Sequence, residues 1–241
     1  MTSIMKPQPT LGWITVPTYP LFAPYKVMPD SGPRAFVGKT VRLMSMIIDT
    51  LILDNSPCWD ASTRTLHFNG DFQRYARLTN VVNGGHSRSS VDQLLESYLL
   101  EPWPVYDGEI RVAENIEMHD LPLSQRWMRV SEDYMRLITD YTPHRISFDH
   151  LPQAGFALDL YVICCLYTPE GQRLHIPEST LWELLPQDSL RRTQSRYYEA
   201  AARQLNALGN GWEYRYERDH GFDAARTDTG IDAPGSVLRI A

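Results

Sequence analysis

Five residues within the six positions 191–196, namely Arg191, Arg192, Gln194, Ser195 and Arg196, have side-chain types suited to reading duplex DNA. An Arg guanidinium can bind a guanine edge as a bidentate fork, and a Gln amide can do the same for adenine. Backbone N–H groups at a helix N-terminus attract phosphate. That chemistry needs the residues near the start of a helix, and the surrounding sequence predicts one. Residues 190–208 contain neither Pro nor Gly, Ser189 is a credible N-cap and a further candidate contact, and Gly209 ends the run. Leu190, Tyr197, Ala201, Gln204 and Leu205 recur at helical spacing as the stripe to be buried, which leaves most of the polar residues off it, and Arg203 adds another cation. The alternative reading is a solvated basic face on an ordinary amphipathic helix.

The flanking segments supply a scaffold for such a helix. Upstream, Leu174, Ile176 and Pro177 lead into a short helix with Leu181, Trp182, Leu184 and Leu185, broken by Pro186 and Asp188. Downstream, Gly209-Asn210-Gly211 turns the chain into a strand in which Trp212, Tyr214 and Tyr216 alternate with Glu213, Arg215 and Glu217, the period of a half-buried strand. Arg215, on its charged side, joins the candidate DNA contacts. A hairpin return is available at 236–240, which makes the Asp-, Gly- and Ala-rich segment between, with Arg218 and Arg226, an unusually long and mobile wing.

A coarser version of the same order lies upstream. A helix over 36–53 buries Val37, Val41, Met44, Ile48, Leu51 and Ile52, and Asn55, Pro57 and Asp60 end it. A strand follows at 64–68, then a short helix with Phe72, Tyr75, Ala76 and Leu78 capped by Asn69 or Asp71. Asn83-Gly84-Gly85 turns into a third helix with the stripe Val91, Leu94, Leu95, Tyr98 and Leu99. Asp107-Gly108 predicts a hairpin between 103–106 and 109–112, the upstream wing. His86, Arg88, Ser89 and Gln93 are candidate contacts here. Only one of them is a fixed cation, so backbone-directed contacts are expected.

Residues 1–33 hold seven prolines interspersed with Trp13, Tyr19, Phe22 and Tyr25, a density that forbids a long helix and predicts an extended arm. It packs either on its own domain or on a partner copy. A linker over 118–126, broken by Pro122, separates a first domain, 34–121, from a second, 122–241. The second opens with a helix N-capped by Ser131, with Glu132 and Asp133 in its first turn, then an extended piece at Ile146, Phe148 and Leu151, then an apolar helix over 156–167.

The 241 residues are 43% hydrophobic, enough for one large core or two small ones. The longest apolar run, 43–53, contains Asp49 and is too short to span a bilayer, and the N-terminus lacks a signal-peptide order, so a cytoplasmic protein is expected. Cys58, Cys164 and Cys165 suit neither a disulfide framework nor a zinc site and read as core residues. A net charge of −6 argues against nucleic acid, yet the basic residues are 20 Arg against 3 Lys, and the arginines cluster while the acids gather around 96–117 and 219–232.

No HExxH, phosphate-binding Gly-rich loop with Lys, GxSxG or His-x-His occurs, and the expectation is a protein that is not an enzyme and has neither cofactor nor metal site. His144, His150 and His175 could meet near Asp149, but nothing in their spacing favours it.

Three stretches carry a resemblance to a known family: Pro33-Arg34 ahead of a long helix, with 66–70 and Gly84-Gly85 before 87–98; Trp127-Met128-Arg129-Val130-Ser131-Glu132; and 189–208 ahead of an aromatic strand. In these the chain resembles the RepA-like plasmid replication initiators over about 34–241. The resemblance implies an α+β, helix-rich fold of two tandem winged-helix domains behind the Pro-rich arm. It further implies binding to double-stranded DNA at origin repeats, regulation of its own gene, a homodimer that dissociates to act, and recruitment of host replication proteins. The acidic net charge departs from that pattern. A winged-helix transcription regulator and a non-catalytic adaptor of a nucleoprotein complex are the other readings.

Overall fold

A computed structural model describes residues 13–17, 39–78, 96, 99–100, 102–105, 108–117, 121–140, 142–147, 151–152, 155–168, 173–184, 191–226 and 237–239. The chain is α+β and divides into two compact units, 1–148 and 149–241.

In the first unit, strand β1 (Trp13–Pro17) lies on helix α1 (Lys39–Leu53). The buried Thr50 hydroxyl joins them: it accepts from the Thr15 N–H at 2.9 Å and donates to the Met46 carbonyl at 2.6 Å. This part of the Pro-rich segment therefore packs on its own domain; the rest of 1–33 lies outside the described residues. Helix α1 buries Leu43, Met44, Ile47, Ile48, Leu51 and Ile52, close to the expected stripe. Strands β2 (Trp59–Asp60) and β3 (Thr65–His67) follow, then α2 (Gly70–Leu78), where Phe72 stacks on Phe68 with ring centroids 4.3 Å apart. Glu96, Leu99 and Leu100 are helical and Leu99 is buried, as the third helix requires.

Strands β4 (Trp103–Val105) and β5 (Gly108–Ile110) form the expected hairpin, but Val105 pairs with Gly108, so its connection is Tyr106-Asp107, one residue earlier than predicted. This hairpin is also a separate two-stranded sheet. The main sheet, ordered β2-β3-β7-β6, uses β6 (Ala113–Glu117) and β7 (Trp127–Val130). The segment expected to link two domains is thus the connection between adjacent strands of one sheet, and the boundary moves from 121/122 to 148/149. Backbone pairing of β7 with both β3 and β6 fixes this.

Helix α3 (Glu132–Thr139) belongs to the same unit. Its expected N-cap is present: Ser131 Oγ accepts from the Tyr134 N–H at 3.0 Å and donates to the Arg111 carbonyl. The Tyr134 hydroxyl donates to the buried carboxylate of Asp49 on α1 at 2.5 Å. Ser131→Ala should lower stability in urea denaturation by about 1 kcal/mol, the usual worth of such a cap. Strand β8 (Pro143–Ser147) closes the unit by pairing antiparallel with β1.

The second unit is built on α4 (Gly155–Tyr167), whose residues 157–164 are all buried, which accounts for the apolar character of this helix on most sides. Cys164 is among them, and burial pushes its thiol well above the usual range; burial raises Cys58 as well, so both behave as core residues. Strand β9 (Arg173–Pro177) runs directly into α5 (Glu178–Leu184), and α6 (Arg191–Ala207) packs between α4 and β10 (Trp212–Glu217). The Asn206 amide clamps helix to strand, accepting from the Tyr214 N–H at 2.9 Å and donating to the Tyr214 carbonyl at 2.7 Å. Gly209, at φ +58°, takes the left-handed position that ends the helix.

The expected long wing is absent from its expected place. The return strand is β11 (Gly221–Arg226), joined to β10 by a turn of only Arg218, Asp219 and His220. Strand β12 (Val237–Arg239), the return predicted at 236–240, instead pairs parallel with β9. The sheet order is β10-β11-β9-β12. Among the described residues no helix is long and apolar enough to cross a membrane.

Candidate nucleic-acid interface

Helix α6 buries Ser195, Tyr198, Ala201, Ala202 and Leu205. The buried stripe is rotated by one residue from the expected one: Tyr198 lies inside, while Tyr197 is 45% exposed. Arg196 and Arg203 are exposed. The side chains of Arg191, Arg192 and Gln194 lie outside the described residues. At about 3.6 residues per turn Arg196 and Arg203 share a phase, and they form a basic line on the outer face.

Ser195 is removed from the expected contact set, because its hydroxyl faces inward to the Glu178 carboxylate at 3.4 Å. Glu178, the first residue of α5, is a buried junction. Its Oε1 also accepts from the Tyr216 hydroxyl at 2.5 Å, and its Oε2 accepts from the Asp219 N–H at 3.0 Å. One carboxylate thus ties α5 to α6, to β10 and to the hairpin turn. Burial, and then donation to that carboxylate, push the Tyr216 phenol up to about 12. The Tyr198 hydroxyl adds a bond from α6 to the Leu181 carbonyl of α5 at 3.2 Å. These contacts fix how α6 is presented.

Arg215 is half-buried on β10, in register with Asp223 of β11, rather than projecting freely from the strand. Ser189, His86, Arg88, Ser89 and Gln93 lie outside the described residues.

A second cluster was not expected from the sequence. His175 and Asp223 are register partners on β9 and β11, and His175 Nδ1 is 2.9 Å from Asp223 Oδ1. His220, in the hairpin turn, places Nε2 at 3.1 Å from Asp223 Oδ2, and the two imidazole rings are 4.5 Å apart. Among the described residues these three side chains are the group whose ligand atoms could hold a metal ion. His175 therefore meets Asp223, a carboxylate the sequence reading did not consider for it; Asp149 and His150 lie outside the described residues, and His144 is exposed on β8 of the other unit. The signal was hidden because His220 and Asp223 fall in the stretch read as loop.

Comparison with known proteins returns neither a matching protein-family model nor a matching curated protein.

Proposed function

We propose that the chain is a sequence-specific double-stranded DNA-binding protein of two winged-helix units, acting in the cytoplasm as a plasmid replication initiator at origin repeats, and not an enzyme. The observation that carries this reading is on α6, which buries one face and leaves Arg196 and Arg203 exposed on the other. The unit that holds it runs helix, strand, helix, helix, hairpin, with β9 paired to β11 and β11 to β10. The first unit supports a tandem arrangement by the same rule, since β3 pairs with β7 and β7 with β6 behind α1 and α2. A recognition helix set on such a sheet enters the major groove while the hairpin reaches the backbone.

Binding of the full chain to an origin fragment of its own replicon and to random duplex of equal length tests the proposal. The wild type is expected to prefer the origin fragment. An Arg192→Ala, Arg196→Ala, Arg203→Ala variant is expected to bind at least about 100-fold more weakly, since each lost contact costs about 1–3 kcal/mol, with an unchanged circular dichroism spectrum. Equal binding by wild type and variant would reject α6 as the reader. The net charge of −6 favours one competing reading, a non-catalytic adaptor in a nucleoprotein complex, and failure to bind any duplex at low salt would select it. Site-specific binding without support of plasmid replication would select a transcription regulator.

A further inference from the structure

We infer that His175, Asp223 and His220 form a binding site for a divalent transition-metal ion of the zinc type, which pins the hairpin turn to strand β9. Two of the ligands are held by the sheet itself: His175 and Asp223 are paired across β9 and β11, with side chains only 12% and 16% exposed. The third, His220, is 51% exposed and three residues before Asp223, so it closes the site from the turn. All three ligand atoms lie within 4.8 Å of one another.

The three side chains are near enough to converge on one tetrahedral ion. Metal–nitrogen and metal–oxygen distances near 2.0–2.2 Å place neighbouring ligand atoms about 3.3 Å apart. His175 Nδ1 and His220 Nε2 meet different oxygens of Asp223, at 2.9 and 3.1 Å, and one ligand atom from each residue lies within 4.8 Å of the others, so the three need to draw together by up to about 1.5 Å to reach that spacing. The donor set selects the ion. Two imidazoles and one carboxylate suit zinc, nickel or copper, whereas magnesium and calcium require more oxygen donors than the cluster offers. Three protein ligands leave a fourth position for water, on the solvent side where His220 is exposed.

Proton placement is defined in both states. Without metal, an ionised carboxylate only accepts, so His175 Nδ1–H and His220 Nε2–H donate to Asp223. With metal, those nitrogens present lone pairs, and the ring protons reside on His175 Nε2 and His220 Nδ1. Asp223 exchanges two N–H donors for the cation.

Zinc titration of the full chain by calorimetry, with cobalt absorption as a second readout, tests the site. One equivalent is expected to bind, cobalt is expected to give the intense visible bands of a four-coordinate ion, and zinc is expected to raise the melting temperature. His220→Ala removes an exposed turn residue and should leave the metal-free fold intact while weakening zinc binding at least about 10-fold. His144→Ala, an exposed histidine of the other unit, should change nothing. Binding lost equally in His144→Ala, or retained in His220→Ala, would overturn the proposal. So would the absence of binding, which would leave the cluster as a hydrogen-bonded network only. None of these readouts involves DNA, so the result stands apart from the function proposed above.

Discussion

Gly221→Ala is expected to abolish the cooperative folding of the second unit. Gly221 pairs with Pro177 where β11 meets the end of β9, and its φ is +128°. A β-carbon there would stand 2.1 Å from the Ile176 carbonyl oxygen and 2.9 Å from the Glu178 nitrogen. Both are backbone atoms, at the junction of β9 with α5, so no side chain can rotate away. Separating β11 from β9 would expose Phe222 and Ala224, now fully buried, and dissolve the hairpin. Conformational strain of 1–3 kcal/mol for a side chain in such a backbone region, with the clash added, gives a loss of about 4 kcal/mol or more. Denaturation followed by tryptophan fluorescence in a variant that keeps Trp212 and has the other five tryptophans replaced by Phe checks it; a midpoint within error of the same variant with Gly221 would show that β11 tolerates a side chain here.

Glu178→Ala is expected to be nearly as damaging, for an electrostatic reason. The carboxylate accepts hydrogen bonds from Tyr216, Ser195 and the Asp219 backbone in a buried setting. Its loss leaves those three donors without this acceptor, at about 1 kcal/mol each at the least, and adds a cavity, for a total of about 4 kcal/mol or more. Glu178→Gln keeps the volume and one acceptor oxygen, so it should recover roughly half. The same ordering should hold for DNA affinity in folded protein, because the junction orients α6 against the hairpin. Equal stability of the Ala and Gln variants would mean that neither the volume of the side chain nor a retained acceptor oxygen stabilises this junction.

Long periodic elements were legible in the sequence. The apolar stripe of α1, the breaker-free run of α6, the mostly apolar α4 and the alternation Trp212-Glu213-Tyr214-Arg215-Tyr216 each carry a pattern that one fold satisfies. Strand β11 carried none. Gly221-Phe222-Asp223-Ala224-Ala225-Arg226 has a single strong strand former, and it is a strand because β9 and β10 pair with it from both sides. Strands β6 and β7 were hidden similarly: Ala-Glu-Asn-Ile-Glu has two acidic residues in five and one strong strand former, and Trp127–Val130 looked like the start of a new domain because its partner β3 lies some sixty residues away. The adjacent tyrosines 197 and 198 allowed either phase for α6, and the Tyr198 bond to Leu181 selects the second. That one-residue rotation turns Ser195 inward and leaves Arg196 and Arg203, seven residues apart, on the exposed face. The histidine cluster follows from the register of β11 and was unreadable without it.

The salt dependence of duplex binding tests the central claim most directly. If the outer face of α6 meets the phosphate backbone, log Kobs for the origin fragment falls linearly with log salt concentration, and Arg196→Ala with Arg203→Ala makes the slope shallower by about 0.9 for each phosphate contact removed. The account predicts a reduction of between about 1 and 2. An unchanged slope in the double variant, with wild-type affinity at every salt concentration, would contradict it.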